Sequence, residues 1–271
     1  MGLRINQNST ALNAHRNLVN NDSMLSKSLE KLSSGFRVNR AADDASGLVK
    51  SETLRSEVRG SKQAMRNAED GISFVQTAEG ALIEVHAILQ RMGELAVSAA
   101  NTATSDGVAE QAEIDELVLQ IADIAANTKF AGLTVFDAAA RTFHVGSGAG
   151  ETIDVTVGAL STASFGAGTT DLTAIDVSSD ADTAITNIAT AIADTSTIRG
   201  SLGAKQNRLE HTIRNLQVSI ENLTASESRI RDTDMALEMA SFTRNQIMVQ
   251  AGTSMLAQAN AVPQNVLSLI R

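Results

Sequence analysis

Residues 201–223 read SLGAKQNRLEHTIRNLQVSIENL. Leu202, Leu209, Leu216 and Leu223 recur every seven residues, and Ile213 and Ile220 fill the four-residue steps between them. That three-four spacing keeps one seam of an α-helix turned toward a partner helix. The segment therefore predicts one arm of a helical coiled coil or bundle. Upstream, Ser179 reads as an N-cap with Asp182 three residues on, followed by Ile185, Ile188 and Ile192 on one face. The helix they start is expected to run through Gly200 and Gly203 into the leucine heptads.

Working outward, both ends of the chain carry apolar stripes of the same kind. Leu18, Leu25 and Leu32 repeat at seven, with Leu29 in the step between and Ile5 and Leu12 extending the stripe. The last forty residues place Leu237, Phe242, Ile247, Met248, Met255, Leu256 and Val262 ahead of Pro263 and a closing VLSLI turn. Between the ends, residues 44–100 read as a helix whose stripe Val85, Ile88, Met92, Leu95 holds register across Gly93. Each interior Gly there costs roughly 0.5–1 kcal/mol relative to Ala. A third helix, 108–128, shows Ile114, Leu117, Ile121 and Ile124. The Gly-, Thr- and Ser-rich stretch 130–178 instead reads as a β-hairpin region, with Phe143–Val145 and the alternating Ile153, Val155, Val157 flanking the loop GSGAG at 146–150. The expected fold is mainly α: a long antiparallel helical coiled-coil or bundle rod with a small β-hairpin region.

Composition supports this. The chain has 43% hydrophobic residues but no Trp, Tyr or Cys and one Pro, which suits long helices packed side by side. A net charge of −9 argues against bulk electrostatic binding of nucleic acid. No run of about 18 consecutive apolar residues predicts a membrane span, and the opening MGLRINQNST lacks the apolar region of a secretory signal. Heptads of this kind serve ordinary bundle cores as well as assembly. Their placement at both termini favours assembly, because an isolated terminal helix is marginal in water without a packing partner.

No constellation of reactive groups stands out. His15, His86, His144 and His211 are scattered without Cys partners, and no HExxH helix occurs. Asp232 and Asp234 mimic the start of a calcium loop, but Leu237 occupies the position that needs Gly. No cofactor is expected, and the chain reads as a non-enzyme. Hydroxyls at Ser161, Thr162, Ser164, Thr169 and Thr170 are candidate O-glycosylation sites if the middle loop faces outward.

Four stretches resemble bacterial flagellin: EKLSSGFRVNRAADDASG at 30–47, RNAEDGISFVQTAEGALIEVHAILQRMGELAV at 66–97, the segment 201–242, and QAGTSMLAQANAVPQNVLSLIR at 250–271. The resemblance implies an inner filament-core domain made by pairing residues 1–43 with 232–271, and a rod domain over 44–231. Little room remains for outer domains, so the chain looks like a short flagellin. It implies a structural subunit that polymerises into the filament of a bacterial flagellum for swimming motility, exported unfolded through the flagellar channel. A hook–filament junction protein is the nearest alternative, and an intracellular coiled-coil adaptor would explain the heptads alone.

The implied assembly residues are Leu18, Leu25, Leu29, Leu32, Phe242, Ile247, Met255, Leu256, Val266, Leu267, Leu269 and Ile270. The implied rod core is Leu202, Leu209, Ile213, Leu216, Ile220 and Leu223. Folding of the ends would be coupled to polymerisation. The implied partners are further copies of the chain, flagellar cap and hook-junction proteins, an export chaperone at the C-terminal segment, and a Toll-like innate immune receptor contacting Arg91, Leu95 and Glu113. Gly93 stands where many receptor-activating flagellins have Arg, and is expected to loosen the helix. Arg37, Arg40, Asp43 and Asp44 form a charged linker between the domains, read either as plain exposed polarity or as charges that set the register of neighbouring subunits.

Overall fold

The computed structural model describes residues 8–101, 107–161, 164–166 and 171–270, with side chains omitted at 161, 164–166, 174 and 263–270. Ile5 and the hydroxyl side chains of 161–170 thus lie outside the described set. The helices are α1 (Ser9–Ser34), α2 (Ala45–Ala99), α3 (Val108–Asn127), α4 (Ala181–Arg231) and α5 (Met235–Ile270). Three antiparallel strand pairs lie between α3 and α4: β1 (Lys129–Phe130) with β2 (Leu133–Thr134), β3 (Ala140–His144) with β4 (Thr152–Thr156), and β5 (Ala159–Ser161) with β6 (Ser164–Gly166). The chain divides into two compact units, a larger one at 57–221 and a terminal one combining 1–56 with 222–271.

In the larger unit α2 and α4 run antiparallel. Glu79 meets Arg199 at 3.8 Å, and the Cβ positions of Gly93 and Gly71 approach Ile188 and Leu209. Val75, Leu82, Val85, Leu89 and Met92 of α2 are fully buried against Ile188, Leu202 and Leu209 of α4 and Ile114 and Ile121 of α3. One window of α2 reaches a mean hydropathy of 1.2; most of the helix's large apolar groups are turned into this core, while Val49, Ile83 and Val97 stay exposed. The helix runs unbroken through its glycines. It continues through Gly93, where an added Cβ would make ordinary contact with Ile188 at 3.7 Å. Gly71 has a definite purpose: an added Cβ would lie 3.2 Å from Leu209 and 3.3 Å from Phe143, so its bareness lets the β3–β4 hairpin and α4 close on α2. Phe143 and Phe130 then both meet Phe74, at ring separations of 5.9 and 5.8 Å.

The hairpin follows the expected alternation. Ile153 and Val155 of β4, with Val157 just beyond it, point into the core, and Gly150 adopts φ +87 in the connecting loop. The β1–β2 turn gave no recognised signal: it places Ala131 and Gly132 at φ 49 and 82, the two positive values that a tight two-residue turn needs. Ala131 takes this conformation without glycine's freedom.

Two expectations about α4 are corrected. Its N-terminal cap is Asp180, whose carboxylate accepts from the Thr183 N–H at 3.1 Å; Ser179 instead hydrogen-bonds Asp176. The six heptad positions are also unequal. Leu202 and Leu209 are sealed, whereas Ile213, Leu216, Ile220 and Leu223 are half-buried. The buried cluster ends at Leu209, and beyond it the flanks of the seam are open to water.

Candidate assembly interface

The terminal unit is built on α1 and α5, which pack against each other as an antiparallel pair. Asn8 Nδ2 donates to the Ala259 carbonyl at 2.8 Å near one end, and Lys31 meets Glu238 at 3.8 Å near the other. Burial along α1 falls on Ala11, Ala14, Leu18, Asn21, Leu25, Ser28 and Leu32; along α5 it falls on Glu238, Phe242, Asn245, Val249, Gly252, Leu256 and Ala259. Both series step by three and four, so the two ends supply each other's coiled-coil partner. Small residues bring the helices close: a Cβ on Gly252 would come within 3.1 Å of Leu18 Cδ1.

This corrects the picture of a single apolar face on each end. Leu18, Leu25, Leu32, Phe242 and Leu256 lie in the intrachain seam. Leu29 does not; it is 57% exposed, and the buried Ser28 takes the step assigned to it. Ile247 and Met255 also point away from the seam, at 59% and 62% exposure. Val266, Leu267, Leu269 and Ile270 belong to α5, whose backbone stays helical across Pro263, but their side chains lie outside the described set.

What remains open is a second set of apolar side chains. Leu12, Val19 and Met24 join Leu29 on α1, and Leu237, Met248 and Val262 join Ile247 and Met255 on α5. At about 100° per residue, Leu237, Met248, Met255 and Val262 fall within roughly 40° of one another, about a quarter-turn from the side that faces α1. The signal was present in the sequence. On α5 there are more apolar residues than one seam can take, and sorting them by angle separates the outward stripe, with Ile247 about 80° further round; on α1 only Leu12 and Val19 share a side, while Met24 and Leu29 flank the seam on opposite sides.

The charged linker is engaged within the chain. Arg37 donates to the Ile230 carbonyl at 2.7 Å, and Arg40 pairs with Glu30 at 2.8 Å. Asp43 accepts from the Arg40 N–H at 3.0 Å and the Asn39 N–H at 3.2 Å, and these bonds, the Arg40 one foremost, hold its carboxyl below the usual value. Asp44 accepts from the Gly47 N–H at 2.8 Å and the Ser46 hydroxyl, and is lowered in the same order. It thereby caps the start of α2, and a Cβ on Gly47 would collide with it at 2.3 Å. Nearby, the Arg231 guanidinium lies 4.8 Å from the centre of the Phe36 ring and 2.5 Å from Glu52. Asp234 accepts from the Ala236 N–H at 2.9 Å, so its carboxylate caps α5.

In the larger unit Arg91 bonds Glu113 at 2.9 Å and Glu94 at 3.2 Å, and its pKa is raised, chiefly by Glu113. These charges are exposed. Leu95 is not: at 7% exposure it belongs to the core beneath them.

The bacterial flagellin N-terminal helical region matches residues 5–141, and the bacterial flagellin C-terminal helical region matches residues 185–270. The chain is similar to a flagellin of Halalkalibacterium halodurans, 49% identical with 98% of this chain and 99% of that protein covered. It is also similar to a flagellin of Bacillus subtilis, at 44% identity over 99% and 100%. A flagellar filament 33 kDa core protein of Treponema phagedenis is 43% identical over 98% and 99%. Among solved structures, a Bacillus cereus flagellin overlaps 56% of this chain and 88% of its own at a TM-score of 0.47 and 27% identity. With both helical regions matched and these relatives aligned along nearly their whole length, the chain belongs to the bacterial flagellin family.

Proposed function

We propose that this chain is a structural subunit that polymerises through its terminal helices into the extracellular filament of a bacterial flagellum, the polymer that drives swimming. The carrying observation is the α1–α5 pair, which closes one apolar seam within the chain and leaves an apolar stripe of α5 and further apolar side chains of α1 open, with Leu237 68% exposed. Burial stabilises by roughly 1.5–3 kcal/mol per large side chain, and on these faces it can come only from other copies. A surface of one copy that meets a different surface of the next, repeated without closure, generates an open filament. The relatives are named flagellins and filament core proteins, which favours this reading over a hook–filament junction protein.

The proposal extends to partners. Flagellar cap and hook-junction proteins would meet the same terminal helices at the filament's ends, and an export chaperone would cover the C-terminal segment before assembly. A Toll-like receptor would read the exposed Arg91–Glu113 pair, with Leu95 supporting it from beneath rather than reaching outward.

Truncation after Val262 tests the central part. It removes Val266, Leu267, Leu269 and Ile270. The expected outcome is a larger unit that melts as in the full chain and a protein that grows no filaments on seeds. Filaments of normal length at the usual protein concentration would show that this end lies outside the assembling core.

A further inference from the structure

Methionine is distributed unevenly over the two units. In the larger unit Met92 is fully buried and Met65 half-buried. In the terminal unit every described methionine is about half exposed or more: Met24 at 51%, Met235 at 48%, Met239 at 49%, Met248 at 49% and Met255 at 62%. Four of these lie on α5, and they fall on two sides of it. Met248 and Met255 share the outward stripe with Leu237 and Val262, whereas Met235 and Met239 lie roughly half a turn away.

We propose that Met248 and Met255 form a redox-sensitive modification site at which oxidation by a peroxide blocks assembly. This rests on the filament reading above. The thioether sulfur attacks one oxygen of the peroxide, the O–O bond breaks, and the sulfur is oxidised by two electrons to a sulfoxide. The peroxide is reduced to water, or to an alcohol if it is organic. The product keeps roughly the shape of methionine but carries a strong hydrogen-bond acceptor. On an exposed helix face this costs little, because water satisfies the new oxygen. At a copy–copy contact the oxygen meets apolar groups and stays unpaired, an unfavourable burial that recurs at every subunit. Chain without cysteine leaves no thiol to react first, and the core placement of Met92 shields the fold of the larger unit. Oxidation should therefore act on assembly while sparing folding.

The test uses the full chain, with peptide mapping to establish that hydrogen peroxide has converted Met248 and Met255 to sulfoxides. Growth on filament seeds is followed by light scattering. The expected result is a critical concentration raised about tenfold or more by oxidation, an unchanged melting transition of the larger unit, and recovery on treatment with the two stereospecific sulfoxide reductases. A Met248→Leu, Met255→Leu double variant should grow and resist peroxide, and its growth before treatment confirms its folding. A Met235→Leu, Met239→Leu variant should remain sensitive. Oxidised wild-type protein growing like untreated protein would overturn the proposal, as would equal sensitivity of the Met248→Leu, Met255→Leu variant. If that variant does not grow untreated, reductase rescue of the wild type decides. Failure of untreated wild-type protein to grow would instead overturn the filament reading.

Discussion

Replacing Leu209 with Asp is expected to unfold the larger unit. Leu209 has no exposure and closes on α2 at the bare backbone of Gly71, beside Phe143. A carboxylate at that depth meets no described donor and has no route to water. The burial costs several kcal/mol, of the order of the roughly 5–15 kcal/mol that holds a typical domain together. The same change at Leu216 should be much milder. That position lies on the open flank beyond the cluster, where an Asp can turn toward solvent, so a folded protein with a lowered melting temperature is expected. Thermal unfolding followed by circular dichroism measures both. Equal melting of the Leu209→Asp variant and the wild type would show that the α2–α4 seam is not the core.

A Leu237→Glu, Ile247→Glu double variant should fold normally and yet fail to polymerise. Both side chains stand clear of the α1 seam, at 68% and 59% exposure, and Glu is nearly as good a helix former as Leu. The monomer thus loses little. In a filament each copy would bury two unpaired carboxylates, so a rise in critical concentration of about a hundredfold or more is expected. Sedimentation of seeded reactions gives the number. Growth near the wild-type concentration, with the variant confirmed to be helical, would place the assembling face elsewhere on the molecule.

The helical architecture was legible because its signals are periodic and long. The α4 heptads, the α2 stripe and the alternation of Ile153, Val155 and Val157 each repeat a backbone period several times, so single exceptions such as Gly93 do not hide them. What the sequence concealed depends on neighbours. Leu202 and Leu216 occupy equivalent heptad positions, and only the extent of α3 and the hairpins decides that one is sealed and the other half-open. Asp180 displaces Ser179 as cap because Asp176 engages the serine. Ser28 displaces Leu29 in the terminal seam because the three-four steps through Leu18, Asn21, Leu25 and Leu32 select by angle rather than by hydropathy. Leu95 belongs to the apolar stripe of α2 by its spacing, although the resemblance implies a receptor contact there, and the structure buries it with that stripe. The charged linker was visible as charge alone, and its caps and turns needed the backbone.

The central claim is that the terminal helix pair closes one apolar seam within the chain and that the exposed apolar side chains of α5 close between chains. Helical reconstruction of filaments assembled from the full-length protein tests it most directly. The account predicts that Leu18, Leu25, Phe242 and Leu256 keep their partners within one copy, while Leu237, Ile247, Met248, Met255 and Val262 become buried against a neighbouring copy. A filament in which those five side chains face solvent or a water-filled channel, with contacts between copies made elsewhere, would contradict it.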